Sequence, residues 1–167
     1  MYSNDIGRRF EAWTAQLFKD HGYNVTERRF RIREERRGQV VNDSEIDLII
    51  EESLLPGLFP TRYAVECKYR TPDEGVVSRK EIADFGLKLR LPGSPTREGF
   101  VVTNTGYVEQ AQAAVRQLKK DFKVHIRLYS REDLERLDYQ RLNLWQKRNA
   151  KKGKRPSLEE QIQNTRI

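Results

Sequence analysis

Two short runs of strand-forming residues, Ile46-Asp47-Leu48-Ile49-Ile50 and Tyr63-Ala64-Val65-Glu66-Cys67, each hold an acid where the pattern calls for an apolar side chain. Both runs are bounded by turn residues and read as strands, Glu45 to Glu51 and Arg62 to Lys68, that pair antiparallel. Acids are disfavoured in strands, and burying an unpaired carboxylate costs several kcal/mol, so any fold built on these segments must compensate both groups. Lys68 lies two positions after Glu66. Strand side chains alternate faces, which puts the two heads on one side of the sheet with Cα atoms about 6–7 Å apart. In a suitable register Asp47 joins that face, and two carboxylates and an ammonium converge. Such oxygen ligands suit Mg²⁺, which keeps several waters and takes one or two acidic side chains plus substrate phosphate. In a phosphoryl-transfer site of this kind the metal polarises the scissile phosphate and acidifies a bound water, while a lysine orients that water or offsets growing negative charge. The same spacing fits an exposed Glu66–Lys68 pair with Asp47 at a strand edge. Spacing alone leaves both readings open.

The rest of the chain supplies an α/β frame. Apolar positions Ile6, Phe10, Trp13, Leu17 and Phe18 recur at helical spacing and predict a helix from Ile6 to His21, ended by Gly22. Tyr23 to Arg33 predicts a strand, followed by a polar loop through Gly38 and Asn42-Asp43-Ser44. The connection from Glu52 to Thr61 is apolar enough to pack onto something. Ser78 with Glu81 three residues on forms a capping box for a helix through Leu91, before Pro92-Gly93. A strand at Gly99 to Thr103, a helix from about Tyr107 to Asp121 and a strand at Val124 to Tyr129 follow. A last helix starts at Ser130, with Asp133 three residues on. The expected architecture is α/β, a mixed sheet flanked by helices.

Charge is unevenly spread. The 167 residues carry a net charge of +7, but from Lys147 onward seven basic residues face two acidic ones, leaving 25 basic against 23 acidic residues in the body. We expect one domain over residues 1–146 and a basic, mobile or partner-ordered extension over 147–167. The exception in the body is Glu27 to Arg37, where Arg28, Arg29, Arg31, Arg33, Arg36 and Arg37 face three glutamates. That stretch suits either phosphate contacts or a solvated face. No apolar stretch is long enough for a bilayer helix, and the N-terminus opens polar and charged with no secretory pattern. The single cysteine, Cys67, excludes an internal disulfide and fits a reducing, cytoplasmic setting. Its side chain should face away from Glu66 and Lys68 and pack. His21 and His125 read as capping or packing residues, Trp13 as core, and Trp145 as an anchor or a stacking residue. There is no Walker-type glycine-rich loop and no nucleophile-elbow serine.

Taken together, Glu45-Ile46-Asp47-Leu48-Ile49 and Val65-Glu66-Cys67-Lys68 resemble the PD-(D/E)xK nuclease superfamily. More narrowly the chain is similar to the catalytic domain of Mrr-type restriction endonucleases and to archaeal Holliday-junction resolvases. Gly7-Arg8-Arg9-Phe10-Glu11 in the first helix, the Ile82–Leu89 helix, Gly99-Phe100-Val101-Val102-Thr103-Asn104 and Ile126-Arg127-Leu128-Tyr129 follow the family's order. The proline that names the motif is absent, since Glu45-Ile46 precedes Asp47. The resemblance implies a restriction-endonuclease-like three-layer fold and a metal-dependent DNA endonuclease, using Mg²⁺ with Mn²⁺ able to substitute. It implies Asp47, Glu66, the Cys67 backbone carbonyl and Glu11 at the metal, and Lys68 as the catalytic lysine. DNA contacts are then expected from Arg8, Arg9, the arginines at 28, 29, 31, 33, 36 and 37, and Lys151, Lys152, Lys154 and Arg155. Leu54, Leu55, Leu58 and Phe59 are expected to form a homodimer contact. The family's separate recognition domain has no room here beyond the tail, so cleavage should be structure-dependent or weakly sequence-specific. A non-catalytic nucleic-acid-binding module with the same fold is the alternative, and the two differ in whether a metal-dependent product forms.

Overall fold

The computed structural model describes residues 2–36, 39–52, 59–142 and 155–167, with the side chains of 2–4, 35, 36, 41 and 42 outside the description. In chain order the elements are α1 (Tyr2–Asp20), β1 (Asn24–Arg36), β2 (Gln39–Glu52), β3 (Thr61–Lys68), a 3-10 turn (Pro72–Glu74), α2 (Arg79–Lys88), β4 (Glu98–Thr103), α3 (Ala111–Phe122), β5 (His125–Tyr129), α4 (Arg131–Gln140) and α5 (Leu158–Gln163). The five strands form one sheet in the order of the sequence. β2 runs antiparallel to both β1 and β3, and β3, β4 and β5 are parallel, giving the expected mixed sheet.

Alternating strand side chains feed two apolar layers. On one face Phe10, Leu17 and Phe18 of α1 bury Leu48, Ile50, Val65 and Phe100. On the other, Ile82 and Phe85 of α2, Leu89 just after it, and Ala114 and Leu118 of α3 bury Ile49, Ala64 and Val101. Helix α1 ends as expected at Gly22, whose φ of 89° suits a residue without Cβ. The Ser78–Glu81 and Ser130–Asp133 capping boxes both form. His21 bonds the Leu137 carbonyl at 2.9 Å and Trp13 lies in the core, as expected.

Two expectations are corrected. The polar loop through Asn42-Asp43-Ser44 is strand, because Arg33 pairs with Asp43 and Ile32 with Ser44, so opposite charges and the buried Ile32 carry the ladder outward. Helix α3 starts at Ala111 rather than Tyr107, whose hydroxyl instead lies 2.6 Å from the Val101 carbonyl and whose backbone bridges Val77. Within the chain Phe59 is 100% exposed, while Leu54, Leu55 and Leu58 lie outside the described residues. Within the extension, Leu158 and Ile162 of α5 are buried against α1. Their apolar spacing was hidden in a short, charged segment, and ion pairs from Arg155 to Asp138 and Arg131 to Glu159 complete the attachment.

Candidate active site

The β2–β3 ladder runs from Glu52↔Thr61 to Leu48↔Val65 and stops there. At that point Asp47 turns to the backbone of β3, its Oδ2 accepting the Cys67 N–H at 2.6 Å. The β1–β2 ladder misses a step at the same place. Arg28 pairs with Leu48 and Phe30 with Ile46, but the intervening Arg29 and Asp47 are not paired. Arg29 has φ 56°, a left-handed conformation that costs a non-glycine residue roughly 1–2 kcal/mol. The ribbon changes face across this step: Leu48 and Ile50 pack beneath α1, whereas Ile46, of the same parity, packs with α2 and α3. Asp47 therefore stands at the mouth of a fork between strands rather than inside a ladder.

Glu66 lies across that fork and is only 4% exposed. Lys68 Nζ sits 2.9 Å from its Oε1. A second ammonium, Lys88 at the end of α2, donates to Oε1 at 2.9 Å, to Oε2 at 3.0 Å and to the Glu45 carbonyl at 2.9 Å. Burial, then repulsion from Glu66, pushes the Asp47 carboxyl up to about 7, partly offset by the Cys67 N–H. For Lys68 burial pulls downward, but the attraction and hydrogen bond of Glu66 outweigh it, so its pKa is raised and it stays charged at neutral pH.

Asp47, Glu66 and Lys68 are thus brought together as expected. The charge of Glu11 also acts on Asp47. Its Oε2 lies 3.4 Å from Arg29 Nη2, and burial raises its pKa while Arg29 lowers it. Among the described residues no three His, Cys, Asp or Glu side chains form a metal-holding group. Asp47 and Glu66 would supply two carboxylates, the remaining positions falling to water and substrate oxygen. Hard donors in that number fit Mg²⁺, and so does a carboxylate pair whose repulsion a cation would relieve. The Cys67 side chain packs beneath α1, opposite the site, and burial pushes its thiol well up.

Of the arginines expected at DNA, Arg8, Arg28, Arg31 and Arg33 are exposed, with Arg31 3.7 Å from Glu45. Two others are committed to the fold. Arg9 donates to the Gln163 and Thr165 carbonyls, 2.9 and 2.7 Å away, at the end of α5, where unsatisfied carbonyls attract a cation, and Arg155 is held by buried Asp138. The Arg36 side chain and Arg37, Lys151, Lys152, Lys154 and Trp145 lie outside the described residues. Lys88 was missed by sequence reasoning. The available signal was a lysine between buried Phe85 and Leu89, on the helical face turned toward the sheet.

A family model described as restriction endonuclease (Mrr_cat) matches residues 5–137. A solved structure titled as a protein of unknown function, AF1548, shares the fold at TM-score 0.51 and 20% identity, over 86% of this chain and 77% of that one. The DNA modification-dependent restriction endonuclease AspBHI gives TM-score 0.49 at 20% identity, over 96% of this chain and 36% of its own. MspJI restriction endonuclease, in complex with a 27-mer oligonucleotide, gives 0.49 at 20% identity, over 80% of this chain and 27% of its own. Among curated proteins none matches the chain. Among the described residues no helix is long and apolar enough to cross a membrane. On the match to residues 5–137, with the mixed sheet and its forked strands in place, the chain belongs to the restriction endonuclease family defined by the Mrr catalytic domain.

Proposed function

We propose that the chain is a Mg²⁺-dependent DNA endonuclease that hydrolyses phosphodiester bonds in a structure-dependent or weakly sequence-specific way. The observation that supports this reading is the meeting of Asp47 and Glu66 with ammonium groups at the end of the β2–β3 ladder, in a chain of the restriction endonuclease family. Asp47, Glu66 and the Cys67 carbonyl would hold the ion, with Mn²⁺ able to replace Mg²⁺. Bound there, a divalent cation supplies polarisation of the scissile phosphate and acidification of a water.

The chain's own groups do the rest. Cys67 N–H fixes the Asp47 carboxylate through Oδ2. Lys68 stays an ammonium because Glu66 and Asp47 flank it, and from there it orients the attacking water or donates to phosphate oxygens as they gain charge. Glu11, 3.4 Å from Arg29, would position that guanidinium to grip a neighbouring phosphate. Arg8, Arg28, Arg31 and Arg33 contact flanking phosphates. The exposed Phe59 supports a homodimer through its segment, which sedimentation equilibrium tests by whether F59D yields a monomer.

The deciding experiment incubates the protein with supercoiled, linear, single-stranded and four-way-junction DNA in Mg²⁺, Mn²⁺ or EDTA. Cleavage is expected with either ion and not with EDTA. It should fall at least about a hundredfold in D47A and K68A while both variants still melt cooperatively. Salt-sensitive binding without any metal-dependent product would instead mark a non-catalytic nucleic-acid-binding module.

A further inference from the structure

The site holds more lysine than the hydrolytic reading uses. Lys88 Nζ has three acceptors, Glu66 Oε1, Glu66 Oε2 and the Glu45 carbonyl, so all three of its protons are engaged. Its position is built in by close packing of α2. A Cβ on Gly99 of β4 would meet Phe85 Cε1 at 2.8 Å and Leu89 Cδ1 at 2.9 Å, and a Cβ on Gly86 would meet Leu118 Cδ1 at 2.6 Å. Two glycines thus let the helix lie close against the sheet and against α3, which carries its last turn to the fork. A cation in that last turn is already favoured by the helix dipole.

Once Asp47 is ionised, the two carboxylates, Asp47 and Glu66, match two ammoniums, Lys68 and Lys88. A divalent ion added to that set would leave an excess of two positive charges in a half-buried place, where attraction and repulsion are strong. One ammonium must withdraw. Lys68 lies on the same strand as Glu66 and meets Oε1, whereas Lys88 comes from the end of α2 and meets both oxygens. Its withdrawal alone frees Oε2.

We infer that Lys88 is a positioning residue that serves as the internal counter-ion of Glu66 and sets divalent-cation affinity by competing for that carboxylate. In the metal-free chain it holds Glu66 in place and ties β3 to the Glu45 carbonyl across the open fork. On metal binding it yields Oε2 to the ion. This rests on the reading of Asp47 and Glu66 as the cation site.

The test is titration of the full chain with Mn²⁺, following the free ion by electron paramagnetic resonance, for wild type, K88M, K88R and D47N without DNA. K88M is expected to bind Mn²⁺ about tenfold more tightly than wild type, as removal of one repelling charge within a few ångströms requires. K88R keeps the charge and should stay closer to wild type. In EDTA K88M should melt at lower temperature than wild type, and saturating Mn²⁺ should raise its melting temperature by more. A purely structural role for Lys88 would lower the melting temperature without tightening Mn²⁺ binding; K88Q replaces K88M if the latter does not fold cooperatively. If wild type binds Mn²⁺, D47N does not, and K88M binds no more tightly, the competition is wrong and the metal site stands. If no variant shows Asp47-dependent binding, both are wrong.

Discussion

Asp47 takes the backbone N–H of Cys67 at the point where their strands part, so the residue that opens the fork also closes the ladder's last hydrogen bond. That bond is not enough to hold the carboxylate at its usual acidity, because burial and the charge of Glu66 push it up to about 7 from the ordinary 3.8. The sign of the consequence follows. Between those two values the folded state retains a proton that the unfolded chain has lost, so metal-free stability falls as pH rises from about 4 to about 7. Thermal melts in EDTA should show this decline in wild type and a flatter profile in D47N, with D47N the more stable at pH 8. Adding Mg²⁺ at pH 8 should raise the wild-type melting temperature and leave D47N unmoved.

Arg29 combines a left-handed backbone with a guanidinium 3.4 Å from Glu11, a strained residue kept beside the site. Arg29→Gly removes the strain and the charge together. The variant should melt no lower than wild type, while DNA cleavage drops about tenfold or more from loss of a charge-assisted phosphate contact. A variant that loses stability and keeps full cleavage would contradict the assignment.

Gly99→Ala places a Cβ within 3 Å of Phe85 and Leu89 side-chain atoms. Overpacking of this kind should cost about 1–3 kcal/mol in urea unfolding. Because the same contact carries α2 toward the sheet, Mn²⁺ affinity should change in G99A as well, which an ordinary core substitution elsewhere, such as V124A, should not reproduce.

The C-terminal helix packs against α1. Ile162 is 0% exposed and Leu158 3%, both in the layer beneath α1. I162A should therefore cost about 2–5 kcal/mol, and a chain ending at residue 154 should melt well below the full one. Equal melting temperatures would show the helix to be dispensable.

Much of this was legible in the sequence because strand and helix signals agreed with their surroundings. The acids in the apolar runs, the lysine two positions on and the two serine capping boxes all act through local spacing, which the chain states directly. The fork itself was not legible. It depends on a ladder that skips Arg29 and Asp47, and nothing in a glutamate- and arginine-rich strand marks where φ turns positive. Lys88 escaped for a related reason: its role depends on how closely α2 approaches the sheet, which is set by glycines on β4 and in the helix. Charge alone likewise does not reveal that Arg9 and Arg155 have internal partners.

The most direct measurement is anomalous diffraction from crystals of the wild-type chain soaked in Mn²⁺. A single strong peak about 2.0–2.3 Å from oxygens of Asp47 and Glu66 is expected, absent from D47N crystals treated alike. An empty fork in crystals of a protein that still cuts DNA in Mn²⁺ would contradict the account.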